Sequence, residues 1–474
     1  MTEVNHKLDL GRLERVDGWG MASRSPGYVY RPVNVDGICG VYSAATAAHK
    51  TIGLRGAGCS YGDASLNSEG IVLDLTRMNR IIDWDPQLGV ITVEPGVTIR
   101  QLWQYVIEDG WWPMVVSGTM FVTIGGAASM NIHGKNNWKV GPIGDHILRF
   151  TIMTYEGNHL ECSRESNSEL FHAAIGGFGM FGAFTSITLQ LKHVSSGLLD
   201  VEAVATKNFD HLFEVFESRL DDSDYLVGWV DCFGSGSGLG RGLVHRANYL
   251  HESDDLEPIQ SLRVVNQELP DAIMGLLPKS VVWRLMQPAT NNPGVRAVNF
   301  AKFIAGAKLN DGQWHHQSHA GFAFLLDYVP NWKKAYGPKG LIQYQSFIPV
   351  ASAKETFKTQ LTICQRYGIV PYLGVFKRHR ADDFLMSHAV NGYSMALDFS
   401  LGNCDRGSLL SLTAELDRTV LDAGGRFYPA KDSTLSASTF QESLGTETVA
   451  AFRALKAKHD PANIFQTNLS RRLI

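Results

Sequence analysis

The chain has 474 residues, of which 44% are hydrophobic and 19% charged, a composition typical of a globular protein and not of a disordered or fibrous one. Its 43 Lys and Arg against 47 Asp and Glu give a formal net charge of −4, which excludes the basic footprint of a nucleic-acid binder. The six cysteines form no C-x-x-C pair, and no histidine-rich cluster accompanies them. The sequence therefore predicts neither a disulfide framework nor a metal site.

Residues 1–24 are polar and mixed in charge, so they lack the apolar core of a secretory signal. No run approaches the roughly 20 apolar residues that a membrane-spanning helix needs. We therefore expect a cytoplasmic protein, and peripheral contact with a membrane stays open.

The first third of the chain alternates short strands with helices and glycine turns. Residues 32–48 predict a helix that follows a proline, and residues 51–55 predict a strand that ends in a glycine-rich turn. Residues 71–75 and 90–96 read as further strands, the second closed by Pro-Gly. Residues 98–108 have the apolar spacing of an amphipathic helix.

Two glycine-rich stretches invite comparison with nucleotide fingerprints. Residues 177–182 match G-x-G-x-x-G by letter, but a dinucleotide site requires a helix after the glycines. Residues 183–191 alternate as a strand instead, so we predict a tight turn. Residues 234–242 fail the spacing at every register and are predicted to be a flexible loop.

The composition changes after Lys192, where longer strands with basic and aromatic clusters begin. Near residues 258–287 we predict two apolar helices, whose candidate core or surface residues are Leu276, Leu277, Val281, Val282 and Leu285. Glycine turns return after Gly425, and residues 446–458 predict a helix that ends before Asp460-Pro461. The chain thus predicts an α+β fold in which one domain, residues 1–194 and 425–474, is split by an inserted domain, residues 195–424.

Two loops of small residues carry the first sign of a ligand. Residues 55–63, R-G-A-G-C-S-Y-G-D, offer closely spaced backbone N–H groups that an anion could approach. Residues 117–119 and 123–128 form a second such segment about 60 residues later, just before N-I-H-G-K-N at 131–136. Either loop alone is typical of an ordinary turn. Together they indicate a pyrophosphate and thus a large cofactor.

The order R-G-x-G-x-S-Y-G-D, T-I-G-G-A, I-H-G-K-N resembles the FAD-binding domain of the FAD-linked oxidases of the vanillyl-alcohol-oxidase type. Residues 335–345, 375–377, 425–433 and 460–473 narrow the resemblance to the decaprenylphosphoryl-β-D-ribose oxidase subfamily. The resemblance runs nearly from end to end. It implies a two-part FAD-binding domain with an inserted substrate domain built on an antiparallel sheet.

The resemblance also implies site residues. The FAD contacts would be Arg55, Gly56, Ala57, Gly58, Cys59, Ser60, Tyr61, Asp63, Gly118, Thr123, Gly125, Gly126, His133, Lys135, Asn136 and Tyr428. Lys431 matches the active-site lysine of the family, and Gln345 and Lys377 match substrate-pocket positions, with Lys135 a further candidate for the substrate phosphate.

Alcohol oxidation explains the two candidate catalytic residues. A cation at Lys431 would stabilise the anionic reduced flavin and orient the substrate, and His133 could take a proton near neutral pH. Judged without the resemblance, Lys431 would be a solvated turn lysine and His133 a hydrogen-bonded core histidine.

Three positions depart from the family pattern. Cys59 stands where many covalent flavoproteins of this fold have the histidine that bonds the flavin, so we expect FAD to be non-covalent. Ala323 and Ala396 replace a tyrosine and a cysteine of the subfamily, both at pocket positions, which leaves the sugar open.

The sequence thus predicts an FAD-dependent oxidoreductase acting on a secondary alcohol of a sugar. The family reaction oxidises C2 of a lipid-linked substrate, a polyprenylphosphoryl ribose, to a ketone as the first half of an epimerisation in cell wall biosynthesis, with an NAD-dependent keto-reductase as partner. The alternatives are an oxidase of free sugars, alditols or aldonolactones, and a non-catalytic flavin- or nucleotide-binding protein.

Overall fold

A computed structural model describes residues 8–273, 277–402 and 404–474. The N-terminal strands are β1 (Leu13–Asp17), β2 (Arg24–Tyr30), β3 (Ile52–Arg55), β4 (Ile71–Asp74), β5 (Ile81–Asp85), β6 (Val90–Val93), β7 (Trp111–Trp112), β8 (Ile147–Met153), β9 (His159–Ser163), β10 (Ala183–Gln190) and β11 (Lys192–His193). The helices among them are α1 (Val35–Ala47), α2 (Ile99–Val106), α3 (Ile124–Ser129), α4 (Asn137–Val140) and α5 (Ser168–Ala174).

These strands form two main sheets. The first has the order β1-β2-β4-β3, in which β4 runs parallel to both β2 and β3. The second is antiparallel, in the order β5-β6-β10-β8-β9. Helix α1 begins after Asn34, whose side chain accepts from the Gly37 N–H, and buries one apolar face in the core of the first sheet. The predicted helices and strands of this region are confirmed.

The middle of the chain contains longer strands and helices than the N-terminal region. Its strands are β12 (Leu198–Thr206), β13 (Tyr225–Val230), β14 (Gly242–Tyr249), β15 (Ala272–Ile273), β16 (Leu277–Pro278), β17 (Gln313–Ser318), β18 (Leu341–Pro349), β19 (Leu373–His379) and β20 (Gly392–Ser400). Its helices are α6 (Phe209–Arg219), α7 (Pro258–Ser261), α8 (Val264–Gln267), α9 (Lys279–Met286), α10 (Asn292–Ala305), α11 (His319–Ala323), α12 (Val350–Arg366) and α13 (Arg406–Asp422).

The C-terminal elements are β21 (Arg426–Phe427), α14 (Ala437–Leu444), α15 (Thr446–His459) and α16 (Asn468–Leu473). Strand β21 completes an antiparallel eight-stranded sheet in the order β17-β12-β14-β13-β19-β20-β18-β21. Side chains alternate across β18, so Ser346 bonds to Gln360 of α12 on one face while Gln343 and Gln345 lie on the other.

The end of the chain returns to the first sheet. Phe465 bridges to Ile52 beside β3, and the Asn468 N–H donates to the Leu66 carbonyl. The helix predicted at 446–458 is confirmed as α15. The boundaries at residues 194 and 424 stay predictions, and β21 belongs to the sheet of the middle region although it follows residue 424.

The tight turn predicted at residues 177–182 is confirmed: it leads into β10, with positive φ at Gly179 and Gly182. Residues 234–241 form a loop with one 3-10 turn and Gly242 begins β14, so the predicted loop is confirmed except at its last residue. Its flexibility stays a prediction. The two apolar helices predicted at 258–287 are wrong. The segment holds the short helices α7 and α8, the β15–β16 hairpin and α9, because prolines at 258, 270 and 278 restrict each helix.

The apolar residues predicted for the core or surface of that segment differ in their burial. Val282 is buried, Val281 is half-buried and Leu285 is exposed. Leu276 lies outside the described residues, and nothing is said of the Leu277 side chain. The segment therefore supplies no continuous apolar helix face.

Arg472 of α16 ties the chain end to the glycine-rich turn. Its guanidinium donates twice to Asp63, at 3.0 and 2.8 Å, and once to Asp432 at 2.7 Å. A further bond of 2.8 Å reaches the Leu435 carbonyl. The Asp432 side chain is almost fully buried, so without Arg472 its charge would lie unpaired in a poorly hydrated place.

We therefore predict that Arg472→Ala lowers the free energy of unfolding by about 3 kcal/mol, because removing one partner of a buried ion pair leaves the carboxylates uncompensated. Chemical denaturation followed by circular dichroism measures the loss. The control is Arg77→Ala at an exposed position, expected to change stability by less than about 0.5 kcal/mol. Equal stability of the two variants would show that the Arg472 network contributes nothing.

Candidate functional site

One enclosed cavity of about 440 Å³ lies where the N-terminal loops, the eight-stranded sheet and the C-terminal turn meet. Residues 55–61 and 117–119 line one end, together with the start of α3. Strands β18, β19 and β20 contribute Gln345, Lys377 and Ala396, and Tyr428 and Lys431 come from the turn after β21. Segments far apart in sequence thus share a single site.

The two small-residue loops present free backbone donors to this cavity. Within the described part of the chain, the N–H groups of residues 56–60 donate to no other residue, and neither do those of residues 117–119. Eight unused donors would be costly if they were buried against protein alone. Such a set fits the oxygens of a pyrophosphate, so the residues present suit the dinucleotide cofactor that the sequence predicts.

Glycine is required where these loops meet. A Cβ built on Gly56 would lie 2.0 Å from Oγ1 of Thr123, the residue that caps α3. Gly58 has a φ of +68°, a conformation that side chains rarely adopt. The two loops can therefore approach each other and a ligand only with glycine at these positions.

Of the four lysines that line the cavity, three form a cluster in which Lys377 repels both Lys135 and Lys431. Burial lowers the pKa of Lys135 to about 7, and the pKa of Lys377 to about 7 as well, with mutual repulsion among the lysines adding to the shift. Burial also lowers the pKa of Lys431 to about 8, opposed by the Asp398 carboxylate. The Lys431 ammonium lies 4.0 Å from the centroid of the Tyr61 ring. The cluster indicates a site for an anion.

Lys135 is the only one of the three with a protein hydrogen bond among the described residues. Its ammonium donates to the Phe322 carbonyl and lies 4.3 Å from the centroid of the Phe322 ring. Lys377 and Lys431 keep their ammonium groups available to a ligand.

His133 is buried and neutral. Burial and the nearby charge of Lys377 hold the pKa of His133 well below its usual range. Its Nε2 atom pairs with the Gln345 amide at 3.2 Å, and its Nδ1 atom is buried without a protein partner. The sequence predicts that His133 could take a proton near neutral pH. The structure argues against that role, because Nε2 already accepts a hydrogen bond and burial disfavours the charged ring.

Most of the predicted site residues lie around this cavity. Those that line it are Arg55, Gly56, Ala57, Gly58, Cys59, Ser60, Tyr61, Gly118, Thr123, Gly125, Gly126, His133, Lys135, Gln345, Lys377, Tyr428 and Lys431. Two predicted FAD contacts do not. Asp63 is engaged by Arg472, and the Asn136 amide donates to the Met114 carbonyl while its Oδ1 atom is buried without a partner.

Sequence reasoning missed several cavity residues. Trp229 and His245 lie on β13 and β14, and Lys302 on α10 places its ammonium 4.3 Å from the centroid of the Trp229 ring. Trp19 reaches the same cavity from the N-terminus. No motif surrounds these residues, so only the pairing of distant strands could have revealed them.

The Leu325–Tyr328 turn is hydrogen-bonded to the second small-residue loop. Asp327 accepts hydrogen bonds of 2.8 Å from the Thr119 hydroxyl and 2.8 Å from the Met120 N–H. The Leu326 N–H donates to the Gly118 carbonyl beside them. These bonds hold the Leu325–Tyr328 turn over the cavity and help to exclude water from it.

Cys59 lines the cavity with an unreactive thiol. Burial raises the pKa of Cys59 to about 11, so the nucleophilic thiolate is scarce at neutral pH. In the ranges that the structure describes, no group of three or more His, Cys, Asp or Glu residues could hold a metal ion. Likewise, none of the described helices is long and apolar enough to cross a membrane.

Comparison with protein-family models matches residues 26–163 to an FAD binding domain. The match spans both small-residue loops and the I-H-G-K-N segment. The cofactor of this protein is therefore FAD.

Comparison with curated proteins finds similarity along nearly the whole chain. Decaprenylphosphoryl-β-D-ribose oxidase of Mycolicibacterium smegmatis is 29% identical over 466 residues, 97% of each chain. Mouse L-gulonolactone oxidase is 28% identical over 202 residues, 43% of this chain and 45% of its own. D-arabinono-1,4-lactone oxidase of Candida glabrata is 24% identical over 44% of this chain and 40% of its own. With its FAD binding domain and these relatives, the chain is an FAD-linked oxidoreductase that is similar along nearly its whole length to a sugar oxidase.

Proposed function

We propose that this enzyme oxidises a secondary alcohol on a phosphorylated, lipid-linked sugar, namely C2 of a polyprenylphosphoryl ribose, to the ketone. The observation that carries the proposal is the group of three cavity lysines, Lys135, Lys377 and Lys431, beside the FAD-binding loops. The similarity over 97% of each chain to a decaprenylphosphoryl-β-D-ribose oxidase supports the same substrate class.

Oxidation of a secondary alcohol removes a hydride from carbon and a proton from the hydroxyl group. Bound FAD supplies the hydride acceptor. Lys431 supplies a fixed positive charge in a site with little water, where it would stabilise developing negative charge. Its pKa of about 8 keeps most of the ammonium charged at pH 7.

Lys377 and Lys135 are suited to the phosphate. Each has a pKa near 7 in the protein alone, because burial disfavours the charge. A phosphodiester anion between them would relieve their repulsion and raise both pKa values. Charge-assisted hydrogen bonds of this kind contribute about 1.5–3 kcal/mol each.

Gln345 and His133 complete the site as polar groups that stay neutral. The neutral His133 ring holds the Gln345 amide, whose carbonyl oxygen is then available to a sugar hydroxyl. His133 is poorly suited to take the hydroxyl proton, because its Nε2 atom already accepts from Gln345 and burial disfavours the charged ring.

An oxidase of free sugars, alditols or aldonolactones is the second candidate. Two lactone oxidases are among the relatives, and Ala323 and Ala396 line the cavity with small side chains that leave room for another sugar. The non-catalytic alternative does not fit a chain that is similar to an oxidase over 97% of its length. If the product is the 2-keto sugar, an NAD-dependent keto-reductase would complete the epimerisation, and a lipid-linked substrate would bring the enzyme to a membrane surface.

FAD is predicted to be bound without a covalent bond, because the Cys59 thiol is protonated at neutral pH and stands where a flavin-bonding histidine would be expected. Acid precipitation of the purified protein should release all the yellow colour into the supernatant. Colour that stays in the washed pellet would contradict this prediction.

Lys431→Ala is predicted to retain FAD and to lose about 100- to 1,000-fold in the rate of flavin reduction, the usual effect of removing one electrostatic group from an active site. Anaerobic stopped-flow absorbance measures the rate in a single turnover. Lys207→Ala, at an exposed lysine outside the cavity, is the matched control and should reduce at the wild-type rate. A Lys431→Ala rate within a few-fold of the control would remove this lysine from the chemistry.

A short-chain prenylphosphoryl ribose is predicted to reduce the flavin at least several hundred-fold more efficiently than ribose, xylitol or sorbitol, since two phosphate contacts separate the substrates. The preference should depend on pH. Lys377 and Lys135 are charged below pH 7 and lose their charge above it, so kcat/KM for the phosphorylated substrate should fall about ten-fold per pH unit for each lysine that must be charged.

The free polyols provide the control for this experiment, because they carry no anion. Their kcat/KM should lack the fall that begins at pH 7 and should decline only above about pH 8, where Lys431 loses its charge. Faster bleaching by a polyol at matched concentration would replace the lipid-linked substrate with the alditol class. If kcat/KM for the phosphorylated substrate is constant from pH 6 to pH 9, Lys135 and Lys377 do not bind its phosphate through their charge.

A further inference from the structure

A series of hydrogen-bonded, buried polar side chains, which we call the relay, joins two residues that motifs identify to three that they do not. It begins at Asn137 of α4, continues through His379 of β19 and Ser394 of β20, and reaches Gln345 of β18 and then His133. All five side chains are buried. Buried polar groups of this kind require partners, and each of these obtains at least one from its neighbour in the relay.

The hydrogen bonds are donated outward from Gln345, toward His133 on one side and toward Ser394, His379 and Asn137 on the other. The Gln345 amide nitrogen donates to His133 Nε2 and to Ser394 Oγ, both at 3.2 Å. The Ser394 hydroxyl, which already accepts from Gln345, donates to His379 Nε2 at 2.7 Å. His379 then donates from Nδ1 to the Asn137 side-chain oxygen at 3.0 Å. Burial keeps the pKa of both histidines well below the usual range, which suits their role as neutral acceptors at Nε2.

This direction determines which atom of Gln345 faces the substrate. Both N–H bonds of its amide are used by Ser394 and His133, so they cannot serve a ligand. The carbonyl oxygen receives no hydrogen bond from the described residues, and Gln345 lines the cavity. The amide is therefore held as an acceptor for a hydroxyl group and not as a donor.

The two residues at the ends of the relay, His133 and Asn137, lie in one short segment of the FAD binding domain. His133 and Asn137 are four residues apart, whereas Gln345, Ser394 and His379 lie on three adjacent strands of the eight-stranded sheet. The relay thus fixes the sheet to that segment at two points. Gln345 sits between them, where a small displacement would misalign a bound sugar.

We propose that Ser394 and His379 are positioning residues that act through Gln345, holding its carbonyl oxygen toward the cavity to accept a hydrogen bond from a hydroxyl of the substrate. The inference rests on the proposed function only in that the substrate is an alcohol. It does not depend on whether that alcohol carries a phosphate.

The test is a double-mutant cycle on Ser394 and Gln345. Ser394→Ala should bind FAD normally and lose about 10- to 100-fold in the limiting rate of flavin reduction, with less than about a three-fold change in substrate affinity, because orientation is lost and not binding. In the Gln345→Ala background the same Ser394→Ala change should alter that rate by less than about two-fold, since the group on which Ser394 acts is gone.

Ser346→Ala is the matched control. Ser346 is also a fully buried serine in the same sheet, next to Gln345 in sequence, but its hydroxyl bonds to Gln360 on the opposite face. The Ser346→Ala variant loses the same kind of hydrogen bond away from the cavity, and its flavin should be reduced at the wild-type rate. Thermal unfolding of each variant shows that the proteins compared are folded.

Two results would overturn the proposal. Additive losses in the double mutant would show that Ser394 does not act through Gln345, and an equal loss in Ser346→Ala would show a general effect of sheet packing. The double-mutant cycle uses whichever of prenylphosphoryl ribose, ribose, xylitol and sorbitol reduces the wild-type flavin fastest. A failure of the lipid-linked substrate therefore appears as a preference for a polyol in the wild type, whereas a failure of the relay appears only in the variants.

Discussion

The site depends on the close approach of two turns, the glycine-rich turn at residues 55–63 and the turn at residues 428–432. A Cβ on Gly62 would lie 1.9 Å from the Asp432 carbonyl oxygen, so a side chain at position 62 would force the turns apart. The Tyr61 N–H donates to the Ala430 carbonyl across the same contact. This contact sets the Lys431 ammonium over the Tyr61 ring, beside the loop whose N–H groups suit the cofactor.

The other boundaries of the cavity follow from that contact. Arg472 braces the two turns from behind by binding Asp63 and Asp432 together. Strand β21, which ends four residues before Lys431, pairs with β18 and so fixes the turn relative to Gln345. Short-range backbone and ion-pair contacts therefore hold the carboxyl end of the chain in place between the first sheet and the eight-stranded sheet.

The sequence predicts those parts of the site that a local backbone conformation requires. Glycines at 56 and 58 are needed for a tight approach and a positive φ, and such requirements leave a readable pattern. Residues such as Trp229, His245 and Lys302 reach the cavity only through strand order and helix placement, which no short motif encodes. The same applies to Ser394 and His379, whose partners come from separate strands.

The errors have physical causes as well. Apolar spacing at 258–287 suggests two helices, but three prolines divide the segment into short pieces. His133 has the ordinary titration range of histidine in sequence, whereas its pKa in the fold is set by burial and by lysines that arrive from distant strands. Residue type alone could not supply that environment.

The lysine cluster shows how the fold prepares for an anion before one binds. Burial and mutual repulsion hold the pKa values of Lys135 and Lys377 near 7, so in the protein alone part of the charge is released as protons at neutral pH. An anion that favours the charged forms must then take those protons back as it binds. Binding of a phosphate would accordingly be coupled to proton uptake, whereas binding of a neutral sugar would not. Under the function that we propose, the cavity distinguishes the two substrate classes through its protonation state, even where the contacts to the sugar ring are the same.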